Sequence, residues 1–470
     1  MHTLPVAVIG AGPVGLAAAA HLHRYQQPFI VLEAGAGPGA AIREWAHVRT
    51  FSPWRYMIDP AARTLLERRG WQAPPADRLP TGGELFEQYL APLARHEAIA
   101  PHVRYRSDVI SIGRKDFDKV RTHGRDRQPF EIRLSDGSLI DARAVIDASG
   151  TWRHPNPAGS GGVAGRGEQN SSQVAYGIPD VCGLVRQRYA GKRVLVVGSG
   201  HSAFNVILDL LTLADAEPQT RITWAMRKES LDTVWGGGAA DELEARGELG
   251  QRARRAVESG RIQVVTPFRI RAFESMNGTL RVAGLSREDA VSLDVDQVIV
   301  CTGFRPDLQM LSEIRLGLDS WLESPSALAP LIDPNEHSCG TVRPHGAREL
   351  AHPEKDFYIV GMKSYGRAPT FLLATGYEQV RSVVAMLAGD VAAAERVELE
   401  LPETGVCNAD AGGGGCCEPA PVAVAVAVPL VVKRPVVVEC CGGPAPADAD
   451  ACCVKDADAK AAGETGCGCG

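Results

Sequence analysis

Gly10-Ala11-Gly12-Pro13-Val14-Gly15 follows the apolar run Leu4 to Ile9 and opens the alanine-rich stretch Leu16 to His21. A strand that turns tightly into a helix needs glycine at the first turn position. A second glycine lets the backbone approach a pyrophosphate, and a third lets helix and strand pack closely. The helix start then offers free N–H groups and a positive dipole end to phosphate. The next apolar run, Phe29 to Leu32, ends at Glu33, where a carboxylate binds ribose hydroxyls. Strand, turn, helix, strand and acid together predict a dinucleotide-binding unit, with Gly10, Gly12, Pro13, Gly15 and Glu33 as its contacts.

A second turn of the same form carries different chemistry. Gly198-Ser199-Gly200-His201-Ser202-Ala203 follows Val194 to Val197 and opens a helix through Leu211. Ala203 stands in for the third glycine, a permitted variant. The following strand, Ile222 to Met226, ends at Arg227-Lys228 and not at an acid. Cations there suit a 2′-phosphate, so NADPH is expected over NADH. Two unlike turns predict two different dinucleotides, the second held by Gly198, Ser199, Gly200, Ser202, Ala203, Arg227 and Lys228. His201 is expected to be a loop residue facing solvent.

Between the turns, Val103 to Ser149 reads as strands. Phe130 to Leu134 and Ser138 to Ile146 flank Asp136-Gly137, a hairpin signal. Ala144 to Gly150 and Gln297 to Gly303 share one form, an apolar strand followed by a small-residue turn. They bracket the second nucleotide unit. The fold class expected is α/β, with two Rossmann-like dinucleotide-binding domains, the second inserted into the first, and a disordered C-terminal tail. The expected boundaries are 1–155 and 297–395 for the first domain, 156–296 for the inserted one, and 396–470 for the tail.

The 470 residues are enough for two to three domains, and the net charge of −6 gives no basic footprint for nucleic acid. No apolar run reaches the ~20 residues that span a bilayer. The longest, Pro421 to Val432, is interrupted by Pro429. The chain enters a strand at once and shows no signal peptide, so a cytoplasmic protein with reduced thiols is expected. After about residue 395 Ala, Gly, Pro and Val dominate, a composition that cannot offset its ordering entropy by burial.

These features resemble the two-dinucleotide-binding flavoproteins. Within them the likeness is to flavin-containing monooxygenases and related bacterial flavoproteins associated with metal and arsenic resistance. Phe51-Ser52-Pro53-Trp54, Pro80-Thr81-Gly82-Gly83-Glu84-Leu85 and the run Tyr358 to Arg367 contribute to it, and it covers roughly residues 1 to 395. The resemblance implies FAD at the first turn and NADPH at the second, acting on a small-molecule substrate. It implies FAD contacts at Val109, Gly150 and Gly303 as well. It places Lys363, Tyr365 and Arg367 before a helix whose N-terminus points at the flavin ring, which makes Lys363 and Tyr365 the catalytic candidates. Trp45, His47, Arg49, Trp54, Arg55 and Tyr56 either line the flavin cleft or pack in the core. One departure bears on the reaction. The monooxygenase signature Phe-x-Gly-x-x-x-His belongs between Trp152 and Gly191, where the chain reads Ala164-Gly165-Arg166-Gly167-Glu168 and then Ala175-Tyr176-Gly177.

A reductase of disulfides or metals needs a redox cysteine pair near the flavin. Cys182, Cys301 and Cys339 stand far apart and read as small buried residues. The other nine of the twelve cysteines crowd the tail. Besides Cys407 they form the vicinal pairs Cys416-Cys417, Cys440-Cys441 and Cys452-Cys453, and the doublet Cys467 and Cys469. Adjacent thiols are paired soft ligands for Hg(II), Cu(I) or trivalent arsenic, and the spacing is not that of a zinc site. Three functions stay open at this level. The first is a monooxygenase-like enzyme acting on sulfur, nitrogen or arsenic. The second is a reductase that uses the tail, and the third is a metal-sequestering or redox-sensing binding protein.

Overall fold

Two parallel sheets carry the two turns. The structure is a computed structural model that describes residues 4–232, 234–235, 244–335, 344–368 and 371–399. Its strands are β1 (Val6–Ile9), β2 (Phe29–Leu32), β3 (Val103–Arg104), β4 (Val109–Arg114), β5 (Phe130–Leu134), β6 (Leu139–Ala142), β7 (Ala144–Asp147) and β8 (Val174–Tyr176). Then come β9 (Arg193–Val197), β10 (Arg221–Ala225), β11 (Ile262–Val265), β12 (Arg269–Met276), β13 (Thr279–Ser286), β14 (Asp289–Val295), β15 (Gln297–Val300) and β16 (Phe357–Ile359). The first sheet has the order β16-β7-β1-β2-β3 and the second β11-β10-β9-β15-β8. Every pairing within these two sheets is parallel.

Both sheets are covered on both faces, which is why their strands read as apolar runs without alternation. In the first, Val6, Val8, Val31, Ala144 and Ile146 face the helices Pro13–Arg24 and Leu373–Leu387. Ala7, Ile9, Leu32, Val145 and Ile359 face the antiparallel sheet β4-β5-β6, through Ile112, Phe130 and Ile132. The second sheet repeats the plan. Val194, Val196, Ile222 and Trp224 face the helix His201–Ala216. Leu195, Val197, Ala225 and Val298 face the antiparallel sheet β12-β13-β14. In each unit, then, a three-stranded meander covers one side, inserted between β3 and β7 in the first and between β11 and β15 in the second.

Two expected boundaries move. β15 does not reopen the first sheet. It pairs in register with β9, Gln297 against Val194 through Val300 against Val197, and with β8 on its other side. It therefore closes the second sheet, and the chain returns only after Val300. At the other end, residues 396–399 still bind the first unit, where the Glu398 N–H donates to Glu378 Oε1 at 3.2 Å. The expected disordered tail and its cysteines, and Cys339, lie outside the described residues. Among the described residues no helix is long and apolar enough to cross a membrane.

Candidate dinucleotide sites

The two turns are built alike atom by atom. Gly10 takes φ +97 and Gly198 φ +129, conformations that L side chains rarely adopt. The N–H of each donates to the end of the neighbouring strand, Gly10 to Leu32 O at 2.7 Å and Gly198 to Ala225 O at 3.0 Å. A Cβ on Gly10 would stand 2.8 Å from Ala148 O, and one on Gly198 would stand 2.3 Å from Cys301 O. Those carbonyls belong to the two matching turns, after β7 and after β15. At the second glycine the situation reverses. A Cβ on Gly12 or on Gly200 would meet nothing within 4 Å. Open space beside a bare backbone at a helix start is what a pyrophosphate needs. Gly15 is excluded from bearing a side chain because its Cβ would lie 2.0 Å from Gly10 O. Ala203, fully buried, fills the corresponding position in the second turn.

The groups beyond each turn differ. Glu33 is buried at the end of β2, and its carboxylate accepts the Ala11 N–H and the Gly35 N–H, each at 2.7 Å. It is thus fixed against the first turn with lone pairs to spare for ribose hydroxyls. Val109 begins β4, two residues past Ser107, whose N–H donates to Glu33 O. Arg227 and Lys228 follow β10. Arg227 is exposed, and its Nη1 donates to Ser160 O at 3.1 Å. The Lys228 carbonyl accepts the Thr266 hydroxyl. His201, expected to face solvent, instead meets Phe51 of the first unit with ring centroids 5.6 Å apart.

Gly150 and Gly303 lie in the two chain crossings, which pair with each other. Asn156 N–H donates to Gly303 O at 2.9 Å, Thr302 Oγ1 donates to Asn156 O at 2.6 Å, and Trp152 stacks on Phe304 at 4.9 Å. Trp152 Nε1 also reaches Glu44 Oε2 at 2.7 Å.

The catalytic candidates are both buried. Lys363 Nζ donates to Asp147 Oδ2 at 2.7 Å and to Ser149 Oγ at 3.1 Å. Tyr365 is enclosed by Phe371 and His345, and burial raises the pKa of its hydroxyl. Arg367 pairs with Glu323 at 2.8 Å. The residues after the first unit divide. Trp54 is fully buried, Trp45 lies against Gly82, and Arg49 and Arg55 are exposed on Leu79 O and Asp77. Tyr56 lies beneath the Arg55 guanidinium, and His47 lies near the Asp209 carboxyl. Asp147 escaped sequence reasoning, although an acid closing a wholly apolar strand was a visible signal. Gln379 had none. Its carbonyl oxygen accepts the Gly361 N–H at 2.7 Å, and its amide reaches Ser364 and His345, 15 and 34 residues earlier in the chain, only through the fold.

Comparison with known proteins agrees with this geometry. Residues 7–339 match the model of the pyridine nucleotide-disulphide oxidoreductase family, and the chain belongs to that family. A ferredoxin–NADP reductase of Thermus thermophilus is 26% identical over 352 residues, covering 73% of this chain and 85% of that protein. The bacillithiol disulfide reductase of Bacillus cereus superposes with a TM-score of 0.61 at 17% identity, over 83% of this chain and 99% of that one. A flavin-containing monooxygenase from Stenotrophomonas maltophilia gives 0.55 at 22% identity, over 83% and 99%. The protein is an oxidoreductase of the FAD- and NADP(H)-dependent kind. The open cradles at Gly12 and Gly200 and the fixed Glu33 carboxylate fit those two groups.

Proposed function

We propose that this protein is a monooxygenase-like enzyme that uses NADPH and FAD to oxidise a soft nucleophile, a sulfur, nitrogen or arsenic compound, in cytoplasmic metal or arsenic resistance. FAD would sit on Gly10, Gly12, Pro13 and Gly15 with its ribose on Glu33. NADPH would sit on Gly198, Ser199, Gly200, Ser202 and Ala203 with its 2′-phosphate on Arg227 and Lys228. Together the two groups supply hydride transfer from nicotinamide to flavin. In this reading the NADPH domain runs from the crossing near Asn156 to the end of β15.

The observation that carries the oxidative reading is the state of the thiols. Among the described residues the cysteines are single. Cys301 is buried, as expected, and donates to Gly177 O, whereas Cys182, expected to be buried, is exposed and donates to Asp209 O. Desolvation raises the pKa of both thiols, fully at Cys301 and in part at Cys182, where Asp209 adds to it, which opposes thiolate chemistry. A reductase working on a thiol-bound metal or disulfide is the second reading, and the paired tail cysteines favour it. A metal-sequestering protein that keeps its nucleotide sites is the third.

NADPH consumption by the full chain, with and without oxygen and with trivalent arsenicals and thioethers as substrates, separates the three. Turnover that needs oxygen and yields an oxygenated product supports the oxygenase. Anaerobic turnover with a metal or disulfide acceptor supports the reductase. A colourless protein that consumes no NADPH and still binds arsenite supports the third.

A further inference from the structure

The segment from Ala158 to Glu168, Ala-Gly-Ser-Gly-Gly-Val-Ala-Gly-Arg-Gly-Glu, is glycine-rich like the two turns but belongs to neither. Its buried acid ties it into an arch. The Glu168 carboxylate accepts N–H groups from Ala158 at 2.7 Å, Gly159 at 3.2 Å and Gly165 at 2.7 Å, and the Tyr176 hydroxyl at 2.7 Å. The Ser160 N–H is held by Ile270 O at 3.1 Å. The tip is free of such packing. A Cβ on Gly161 or Gly162 would meet nothing within 4 Å.

Two arginines from different strands reach the carbonyls of this tip. Arg227, after β10, donates to Ser160 O at 3.1 Å, and Arg305, after β15, donates to Gly162 O at 3.5 Å. β9 lies between β10 and β15 in the sheet, and its end carries Gly198 and Gly200. Residues 160 and 162 are at most roughly 7 Å apart along the chain. Two guanidinium groups from the strands that flank β9 are therefore gathered on one short tip. Among the described residues neither is ion-paired with a carboxylate. Among the described residues each guanidinium bonds a carbonyl, and each keeps further donors in hand. Such an arrangement matches phosphate, which guanidinium binds through forked, charge-assisted hydrogen bonds.

We infer that Arg305 is a further phosphate-binding residue of the NADPH site, beside Arg227 and Lys228. Arg227 serves the 2′-phosphate on the β10 side, Arg305 binds the pyrophosphate on the β15 side, and the Ser160–Gly162 tip aims both. The inference rests on the NADPH reading of the second turn.

Calorimetric titration of the full chain with NADP+ and with NAD+ tests it. Both ligands carry the pyrophosphate, so Arg305→Ala is expected to weaken both by about tenfold or more. Gly161→Asp puts a carboxylate into the open space at the tip without a clash and is expected to weaken both as well. Flavin absorbance retained in each variant reports an intact fold. Should Arg305→Ala cost the flavin, Gly161→Asp decides alone. Unchanged affinities would overturn the inference, and a loss confined to NADP+ would overturn the pyrophosphate assignment. A wild-type chain that binds neither dinucleotide would refute the NADPH reading itself, a result distinct from a variant that binds as tightly as wild type.

Discussion

Lys363 and Asp147 form an ion pair of 2.7 Å in which neither side chain has any exposure to solvent. Asp147 closes β7 directly before the turn whose carbonyl presses on Gly10, and Lys363 comes just beyond β16. The pair thus ties two parallel strands together beneath the first dinucleotide turn. Ser149 completes it, donating its hydroxyl to Asp147 Oδ1 at 2.6 Å.

Removing one partner of such a pair leaves the other charge buried without compensation. Lys363→Met is expected to destabilise the protein by about 3–5 kcal/mol. The double variant Lys363→Met with Asp147→Asn removes the orphaned charge and should recover at least half of that loss. Urea unfolding of wild type, both single variants and the double variant measures the coupling. Losses that simply add would show that the pair contributes nothing as a pair.

Glu33 is predicted to govern flavin retention. Its carboxylate holds the Ala11 and Gly35 N–H groups, so Glu33→Ala frees two backbone donors beside the cradle as well as removing the ribose acceptor. FAD should bind about tenfold more weakly or worse. The ratio of flavin to protein absorbance after purification should fall, while NADP+ affinity at the second turn stays as in wild type. A variant that keeps its full flavin complement would remove Glu33 from the site.

Much of this was legible because the physics is local. A tight strand-to-helix turn imposes its glycines on six consecutive residues, and an acid or a cation at the next strand's end follows within a short span. The assignment of β15 failed because sheet membership is not local. Ala144–Asp147 and Gln297–Val300 are both short apolar strands buried on both faces, so their side chains look alike whichever sheet they join. Only the register against Val194 to Val197 separates them. The same limit hid the arch, since Ser160 and Gly162 meet arginines 67 and 143 residues further on. His201 was misread for the same reason, because Phe51 arrives from the other unit.

Arg227 is expected to set the choice between nicotinamide dinucleotides. NAD+ lacks the 2′-phosphate, so Arg227→Ala should weaken NADP+ by about tenfold to a hundredfold and leave NAD+ almost unchanged. The ratio of kcat/KM for NADPH and NADH should shift by the same factor. Equal losses for both cofactors would place Arg227 elsewhere on the dinucleotide.

His352 predicts a loss of stability in mild acid. Burial pushes its imidazole down to about 4, and its Nδ1 accepts the Gly317 N–H at 3.3 Å. Unfolded histidine titrates near 6.5. The folded pKa is therefore depressed, and the unfolded chain binds the proton first as pH falls. The neutral side chain contributes its full stabilisation above about pH 6.5 and loses it progressively as pH drops towards 4. His352→Asn offers an oxygen to the same N–H and does not titrate. Urea midpoints at pH 7.5, 6.0 and 4.5 should fall more steeply for wild type than for the variant. Parallel declines would assign the acid sensitivity to other groups.

The end of the folded unit and the cysteine-rich segment are predicted to separate cleanly by truncation. Arg381 is buried on the helix Leu373–Leu387, where it pairs with Glu378 at 2.7 Å and donates to the Arg396 carbonyl. The Glu398 N–H adds its bond to Glu378. A chain ending at Leu399 keeps these contacts, and one ending at Glu395 keeps the Arg381–Glu378 pair but loses the Arg396 carbonyl and the Glu398 N–H, exposing donors of a largely buried guanidinium. Ending at Glu395 should therefore cost about 1–3 kcal/mol in urea unfolding relative to ending at Leu399. Both shortened chains lack the nine cysteines from Cys407 onward, among them the proposed ligand pairs. If those thiols capture soft ions, both should lose tight arsenite and Hg(II) binding, and the chain ending at Leu399 should keep its flavin and its NADP+ affinity. Arsenite binding that survives in that chain would move the metalloid site into the folded unit, and unchanged NADPH turnover with arsenicals would leave the tail outside the reaction.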